Sequence, residues 1–183
     1  MNKVSLKNFR KDKKIRERNL FTEVLWQLFS LLLFKNSLFV FFVPKRFILK
    51  LFGAKVGKGV IIKPCVNIKY PWKLKIGDYS WIGEEVWIDN LASVAIDRNV
   101  CISQGAYVCT GNHNWKKPRF DLERESVTIE EGVWVGTKAI VSPGVILKSH
   151  SVITAGSVVT ADTESYMVYQ GNPAKSVRKR IIG

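Results

Sequence analysis

The sequence predicts an all-β fold: a parallel β-helix that follows short apolar helices and ends in a C-terminal extension. The first observation behind this prediction is an aliphatic residue at every sixth position between Val56 and Val159. The second is a small or β-branched residue that usually follows each aliphatic residue four positions later. A period of six fits neither a helix nor a plain strand, but it fits a strand plus a tight corner, three of which complete one coil.

The aliphatic positions form a single inward column in this prediction, and the small residues leave room at the corners. The period is unbroken in the second half of the chain, whereas two-residue insertions break it in the first half. The column consists of Val56, Ile62, Ile68, Leu74, Ile76, Ile82, Ile88, Val94, Ile96, Ile102 and Val108, then Ile129, Val135, Val141, Leu147, Ile153 and Val159. We expect all of these side chains to be buried.

Composition divides the chain into four segments. Residues 1–19 form a basic head, which we expect to be mobile, and residues 20–52 form an apolar segment of short helices. Residues 53–160 form the β-helix domain, and residues 161–183 form the C-terminal extension. The period is lost over residues 113–126, where a proline and mixed charges predict a loop that projects from the coil.

The formal net charge of the chain is +14 over 183 residues, and a large part of it lies in the basic head. Such a cluster indicates an anionic partner, which is a membrane surface, a phosphorylated ligand or nucleic acid. Nucleic acid is disfavoured, because the basic residues lie mainly in the head and tail and no nucleic-acid-binding motif is present. Two histidines and three cysteines without metal-ligand spacing predict neither a metal site nor a disulfide framework.

Two interpretations of residues 20–52 remain open. The first apolar run is about fifteen residues long, whereas a membrane-spanning helix needs about twenty. In one interpretation the helices cap the open end of the coil and pack against its core. In the other they make a peripheral membrane contact together with the head, and the lysines and arginines bind anionic headgroups.

His113 is the candidate for chemistry, since it stands where the column ends and the projecting loop begins. Imidazole titrates near neutral pH, so it can take a proton from a substrate hydroxyl. His150 occupies a regular corner of the coil, and we expect it to be solvated. The sequence contains no arrangement that indicates a covalent intermediate, a Walker loop or a dinucleotide fingerprint.

Several motifs along the coil resemble those of a known family. They are TGNH at 110–113, VWVG at 133–136, VSPGV at 141–145, AGSVVT at 155–160 and GNPAK at 171–175. The chain resembles the hexapeptide-repeat acyltransferases, whose fold is a left-handed parallel β-helix. The nearer likeness is to the colanic-acid-biosynthesis acetyltransferase group, through FGAKVGKGVIIKPCVNIKYPWKL, GEEVWIDNLASVAI and CISQGAYVCTGNHNW.

This resemblance implies a homotrimeric enzyme that moves an acetyl group from acetyl-CoA to a hydroxyl and requires no metal. It implies that His113 is the catalytic base, which deprotonates a sugar hydroxyl so that the oxygen attacks the thioester directly. For the binding of acetyl-CoA it points to Trp134, Gly136, Thr137, Ala155, Gly156, Thr160, Lys175 and Arg178.

The candidate acceptor-binding or base-orienting residues are Asp89, Asn90, Asn112 and Asn114. The first two precede His113 by about one coil, so they are expected to stack near it. The predicted function is O-acetylation of a sugar or a lipid-linked saccharide in surface polysaccharide biosynthesis. The predicted location is the cytoplasm or the inner face of the cytoplasmic membrane. The alternative is a non-catalytic trimeric β-helix that serves as a scaffold or a sugar-binding module.

Overall fold

The computed structural model describes residues 3–9 and 17–183, so part of the predicted basic head lies outside the described residues. From Lys55 onward the strands are short, and successive strands join three parallel sheets in turn. One strand from each sheet completes one coil, and the described chain winds through five coils before two last strands join the second sheet. The predicted parallel β-helix is confirmed.

The three sheets are the faces of a triangular coil, numbered here in chain order. Face 1 contains β1 (Lys55–Val56), β4 (Leu74–Ile76), β7 (Val94–Ile96), β12 (Val127–Ile129) and β15 (Ile146–Leu147). Face 2 contains β2 (Ile61–Ile62), β5 (Trp81–Ile82), β8 (Cys101–Ile102), β13 (Trp134–Val135), β16 (Val152–Ile153), β18 (Met167–Gly171) and β19 (Ala174–Lys179). Face 3 contains β3 (Asn67–Ile68), β6 (Trp87–Asp89), β9 (Tyr107–Cys109), β14 (Ile140–Val141) and β17 (Val158–Val159).

The interior of the coil is the aliphatic column that the period predicts. Every residue of that column is at most 7% exposed. On face 2, for example, Ile62, Ile82 and Ile102 align in successive coils, and their strand neighbours point outward. The corner residues four positions later are buried too, except Ala92, which lies in one of the enlarged corners. Burial of apolar side chains along the whole axis is therefore what stabilises the fold.

The helical segment covers the first coil. It consists of α1 (Leu20–Phe29), a π-helical turn (Ser30–Phe34) and α2 (Phe42–Leu51). Trp26 and Lys45 are both fully buried and join the helices to the coil. The Trp26 Nε1 donates to the carbonyl of Ile68 at 3.0 Å, and the Lys45 Nζ donates to the carbonyl of Lys63 at 3.0 Å. Burial lowers the pKa of Lys45 below its ordinary value.

Within the described ranges, the helices lack the combination of length and apolar character that crossing a bilayer requires.

Residues 113–126 were predicted to form a loop that projects from the coil, and the projecting segment contains paired strands. The excursion, which we call the arm, is built on β10 (Gly111–His113) paired antiparallel with β11 (Leu122–Arg124). The Asn114 side chain also donates to Glu123 Oε1 at 2.7 Å across the arm. Backbone groups that leave the coil need new partners, and the antiparallel pairing supplies them.

The C-terminal extension returns to face 2 of the coil. β18 pairs in parallel with β16, and β19 then pairs antiparallel with β18. The last part of the chain thus widens the outer surface of face 2.

Replacing Ile102 with alanine should reduce the free energy of unfolding by about 2–5 kcal/mol, because it leaves a cavity in the column. The side chain of Ile102 is 0% exposed. Cys101 precedes it on β8 and is half-buried, so Cys101→Ala should cost about 1 kcal/mol or less. Urea denaturation of the two variants measures the difference. Equal losses would contradict the inward column.

Candidate active site

The arm leaves the coil at the corner between faces 3 and 1, because β9 ends on face 3 and β12 begins on face 1. The Glu125 amide donates to the carbonyl of Thr110 at 3.0 Å and closes the base of the arm. His113, at the end of β10, stands opposite Leu122 of β11 and is half-buried. The arm therefore holds the imidazole beside one corner of the coil.

A backbone contact fixes the tautomer of His113. The Nδ1 atom lies 2.8 Å from the carbonyl oxygen of Phe120. A carbonyl can only accept a hydrogen bond, so Nδ1 carries a proton, and in the neutral imidazole Nε2 is the nitrogen that keeps its lone pair. This is the state that a general base needs before it takes a proton from a hydroxyl.

Two aromatic rings hold the plane of this imidazole. The Phe120 ring stacks on His113 with a centroid distance of 4.4 Å and an angle of 9°. The Phe9 ring lies 5.8 Å away at 58°. Phe9 belongs to the described part of the N-terminal head, which also contacts the arm through the Ser5 amide and the Pro118 carbonyl at 3.0 Å.

Asp89 supports the corner from which the arm departs. Its carboxylate accepts from Lys69 Nζ at 2.9 Å and from the Tyr107 hydroxyl at 3.1 Å. Its carbonyl accepts from the Thr110 hydroxyl at 2.9 Å. Burial and hydrogen bonds to Cys109 and Asp89 raise the pKa of Tyr107, which keeps the phenol protonated as a donor. The Asp89 side chain is 13% exposed, so little of its surface is accessible to a ligand.

The other predicted acceptor residues differ in accessibility. Asn90 is 0% exposed, and its amide group binds both the amide and the carbonyl of Tyr70. It therefore holds two coils together and offers no group to a ligand. The Asn112 Oδ1 accepts from the His113 amide at 2.8 Å, while the residue itself is exposed. Asn114, which is half-buried, uses its side-chain amide within the arm.

A groove of about 730 Å³ runs along the outer surface of face 2. Five of the predicted acetyl-CoA residues line it, namely Trp134, Gly136, Thr137, Ala155 and Arg178. The Trp134 Nε1 donates to the Ser103 hydroxyl at 2.9 Å, which orients the indole along the face. Trp134 also lines a second groove of about 470 Å³ on the preceding coils. The two grooves therefore meet at this ring.

The remaining predicted residues do not line the groove. Gly156 and Lys175 are exposed near it, and Thr160 follows β17 of face 3. Gly136 has a structural requirement of its own, because a Cβ there would lie 2.6 Å from the carbonyl oxygen of Ile153. This glycine is therefore needed for the close approach of two coils whether or not a ligand binds.

Of the basic tail, only Arg178 was predicted to bind acetyl-CoA, but Lys179 and Arg180 line the groove with it. Arg180 also anchors the tail, since its Nη1 donates to the carbonyl of Gly132 at 2.8 Å. The run of cations in the sequence could have pointed to these two residues as part of a phosphate-binding surface. No sequence pattern could have pointed to Phe120, because it binds His113 through its backbone carbonyl oxygen.

His150 is less solvated than expected. It is half-buried, and its ring stacks on Tyr166 with a centroid distance of 4.7 Å.

The groove and His113 lie on opposite sides of one chain. The corner between faces 3 and 1 is the corner of the triangle that faces away from face 2. Within one chain, His113 and the groove therefore open toward different sides of the coil.

No family model matches the chain. Over 96% of its length it is 37% identical to a protein of Escherichia coli K12 that is named as a colanic acid biosynthesis acetyltransferase. The match covers 97% of that protein. It is also 30% identical to the galactoside O-acetyltransferase of the same organism, over 69% of this chain and 64% of that one. A solved hexapeptide-repeat acetyltransferase of Vibrio cholerae, complexed with acetyl-CoA, superposes with a TM-score of 0.79 at 21% identity, covering 97% of this chain and 96% of that one.

These matches, the coil and the arm define the class of protein. The chain belongs to the hexapeptide-repeat acetyltransferases and, within them, to the colanic acid biosynthesis acetyltransferase group. The predictions of an acyltransferase and of a left-handed parallel β-helix are both confirmed. The non-catalytic scaffold is therefore not retained. Among the described residues, no cluster of histidine, cysteine and acidic side chains is arranged to hold a metal ion.

Proposed function

We propose that the chain transfers an acetyl group from acetyl-CoA to a hydroxyl of a sugar or lipid-linked saccharide during surface polysaccharide assembly in the cytoplasm. The names of the two E. coli relatives support a saccharide acceptor. The observation that carries the proposal is the contact between His113 Nδ1 and the Phe120 carbonyl, because it makes Nε2 the proton-accepting nitrogen of the neutral imidazole.

His113 is the general base in this reaction. Its Nε2 takes the proton of the acceptor hydroxyl while the oxygen attacks the thioester carbonyl. A carbon–oxygen bond forms, the carbon–sulfur bond breaks, and the proton passes to the leaving thiolate to give free CoA. No covalent enzyme intermediate is needed, because both substrates are held together in one ternary complex.

The groove on face 2 is the proposed donor site. Its wall combines the apolar surface of Trp134, Val152 and Val168 with the cations Arg178 and Lys179. An apolar wall suits the pantetheine arm, and guanidinium and ammonium groups suit the phosphates. Lys175, Gly156 and Thr160 lie outside the groove wall and would contribute only at its margins.

The acceptor site is proposed beside the arm. Asn112 is exposed next to His113 and can contact an acceptor hydroxyl. Asp89 acts mainly through Tyr107 and Thr110, which position the base of the arm.

We further propose a homotrimer, because one chain separates His113 from the groove. Heterologous contacts around a three-fold axis bring the corner of one copy to face 2 of the next. Each trimer would then contain three sites, each built from two chains.

Incubation with acetyl-CoA and a panel of sugars should release free CoA in proportion to an O-acetyl ester on the sugar. A coupled thiol assay measures the CoA, and mass spectrometry of the sugar identifies the ester. As a control, Ala155→Trp places a bulky ring in the groove and should abolish release. The proposal would be contradicted if the wild type and Ala155→Trp released CoA at equal rates and no acetylated sugar formed.

A further inference from the structure

The helical segment is apolar on two sides, and the coil covers only one of them. Trp26, Phe34 and Leu49 face the coil and are 0% exposed. The outward side chains, which we call the apolar cap, are each at least 40% exposed: Leu20, Phe21, Val24, Leu28, Leu31, Leu32, Leu38, Val40, Phe41, Phe42, Val43, Phe47 and Leu51. A helix that is apolar all round is ordinarily covered all round, and an exposed apolar surface this large marks an interaction site.

The most prominent part of the apolar cap is the turn between the two helical parts. Leu38 is 86% exposed and Phe41 is 65% exposed. Most of the large apolar side chains on the outer surface of the coil are less exposed than these two. The Leu38 amide donates to Asn36 Oδ1 at 2.9 Å, which holds the turn in a defined shape. The Phe39 and Phe41 rings also contact each other edge to face at 5.8 Å. The turn is therefore an ordered projection with an apolar tip.

Cations surround this apolar surface. Lys35 and Lys50 are exposed, and Arg46 is half-buried with its guanidinium over the Phe42 ring at 5.7 Å. Against them, residues 20–51 contain one acidic side chain, Glu23. Apolar side chains framed by lysine and arginine match the interface of a bilayer with anionic headgroups.

Charge also argues against a second copy of the chain as the occupant. A contact between two apolar caps would place the cations around one cap beside those around the other, within a chain of net charge +14. Like charges brought together at an interface oppose association, whereas anionic lipids neutralise them.

We propose that the apolar cap docks on an anionic membrane surface, with the Leu38–Phe41 turn and the outward side of α1 in the headgroup region and the coil standing away from the lipid. This inference goes beyond acetyl transfer and does not depend on the identity of the acceptor. It places the enzyme where lipid-linked saccharides are presented.

The test is co-sedimentation of the full chain with vesicles. Binding is expected to vesicles of phosphatidylglycerol and phosphatidylcholine in equal parts, and not to vesicles of phosphatidylcholine alone. The triple variant Leu38→Gln, Phe41→Gln, Phe47→Gln should lower the partition coefficient by about tenfold or more, because three exposed apolar side chains leave the interface. Lys35→Gln and Lys50→Gln should each lower it about fivefold, and added salt should weaken the remaining binding.

The matched control is Tyr79→Asn, which removes an aromatic ring that is 53% exposed on a corner of the coil. Asparagine tolerates the positive φ of 58° at that position, so the variant should fold and bind vesicles as the wild type does. Melting curves and CoA release without vesicles should be unchanged in all of these variants. Wild-type binding to neither vesicle, or equal binding by the triple variant, would overturn the proposal. Loss of the native oligomer in the triple variant would also overturn it, since the apolar cap would then be a contact between copies.

Discussion

Replacing His113 with asparagine should lower kcat for acetyl transfer by about 10²–10⁴-fold, which corresponds to roughly 3–5 kcal/mol of transition-state stabilisation. The substitution removes the imidazole. Its Nε2 is the nitrogen that can accept a proton, because Nδ1 donates to the Phe120 carbonyl. The KM for acetyl-CoA should change little, because His113 lies outside the groove. Steady-state kinetics with a saturating acceptor measures both constants.

The matched control is the same substitution at the other histidine. His150 has a φ of 59°, a region that asparagine tolerates, and it lies at a corner away from the arm. His150→Asn should therefore retain kcat while it loses the stacking on Tyr166. If both substitutions reduced kcat equally, His113 would not be the base.

The coil could be predicted from the sequence because its core repeats. Each turn buries one aliphatic side chain on each face, so the same requirement recurs at a fixed spacing. Ile62, Ile82 and Ile102 are three such positions, and the register of face 2 follows from them. The sequence could also locate the arm, since an excursion from a regular coil interrupts the period.

The two-residue insertions of the first half have a structural reason that the period alone does not reveal. Val56 aligns with Ile76 and then with Ile96, so both early coils are enlarged by the same amount. The enlarged parts lie at the corner between faces 3 and 1, where the arm leaves the next coil. Asn90 lies at this corner, and its buried side-chain amide bonds to both the amide and the carbonyl of Tyr70. This is why a residue selected for acceptor binding is structural.

The tautomer of the His113 imidazole could not be predicted from the sequence. It depends on a carbonyl seven positions away, which only the antiparallel arm brings to His113 Nδ1. Likewise, a six-residue period predicts the inward column but not where the arm and the groove lie around it. The separation of His113 from Trp134 became visible only when the faces could be placed around the triangle.

That separation leads to the second large effect. Chains carrying His113→Asn and chains carrying Ala155→Trp should each form inactive homotrimers, yet co-assembly in equal amounts should restore about one quarter of wild-type activity. In the proposed trimer, a working site needs an intact imidazole from one chain and an open groove from its neighbour. Each condition is met in half of the random pairings, so both are met in about a quarter of the sites. CoA release per subunit, measured on the whole co-expressed population purified through one tag that both chains carry, tests this value.

The matched control mixes Ala155→Trp chains with chains that carry both substitutions. Every groove in those assemblies is filled, so activity should stay at the level of the homotrimers. Ala155 is exposed at the groove wall, and its replacement leaves the aliphatic column intact. No recovery in the first mixture would mean that each chain contains its own complete site. The arm would then have to reach face 2 of its own coil, which the position of β10 at the opposite corner opposes.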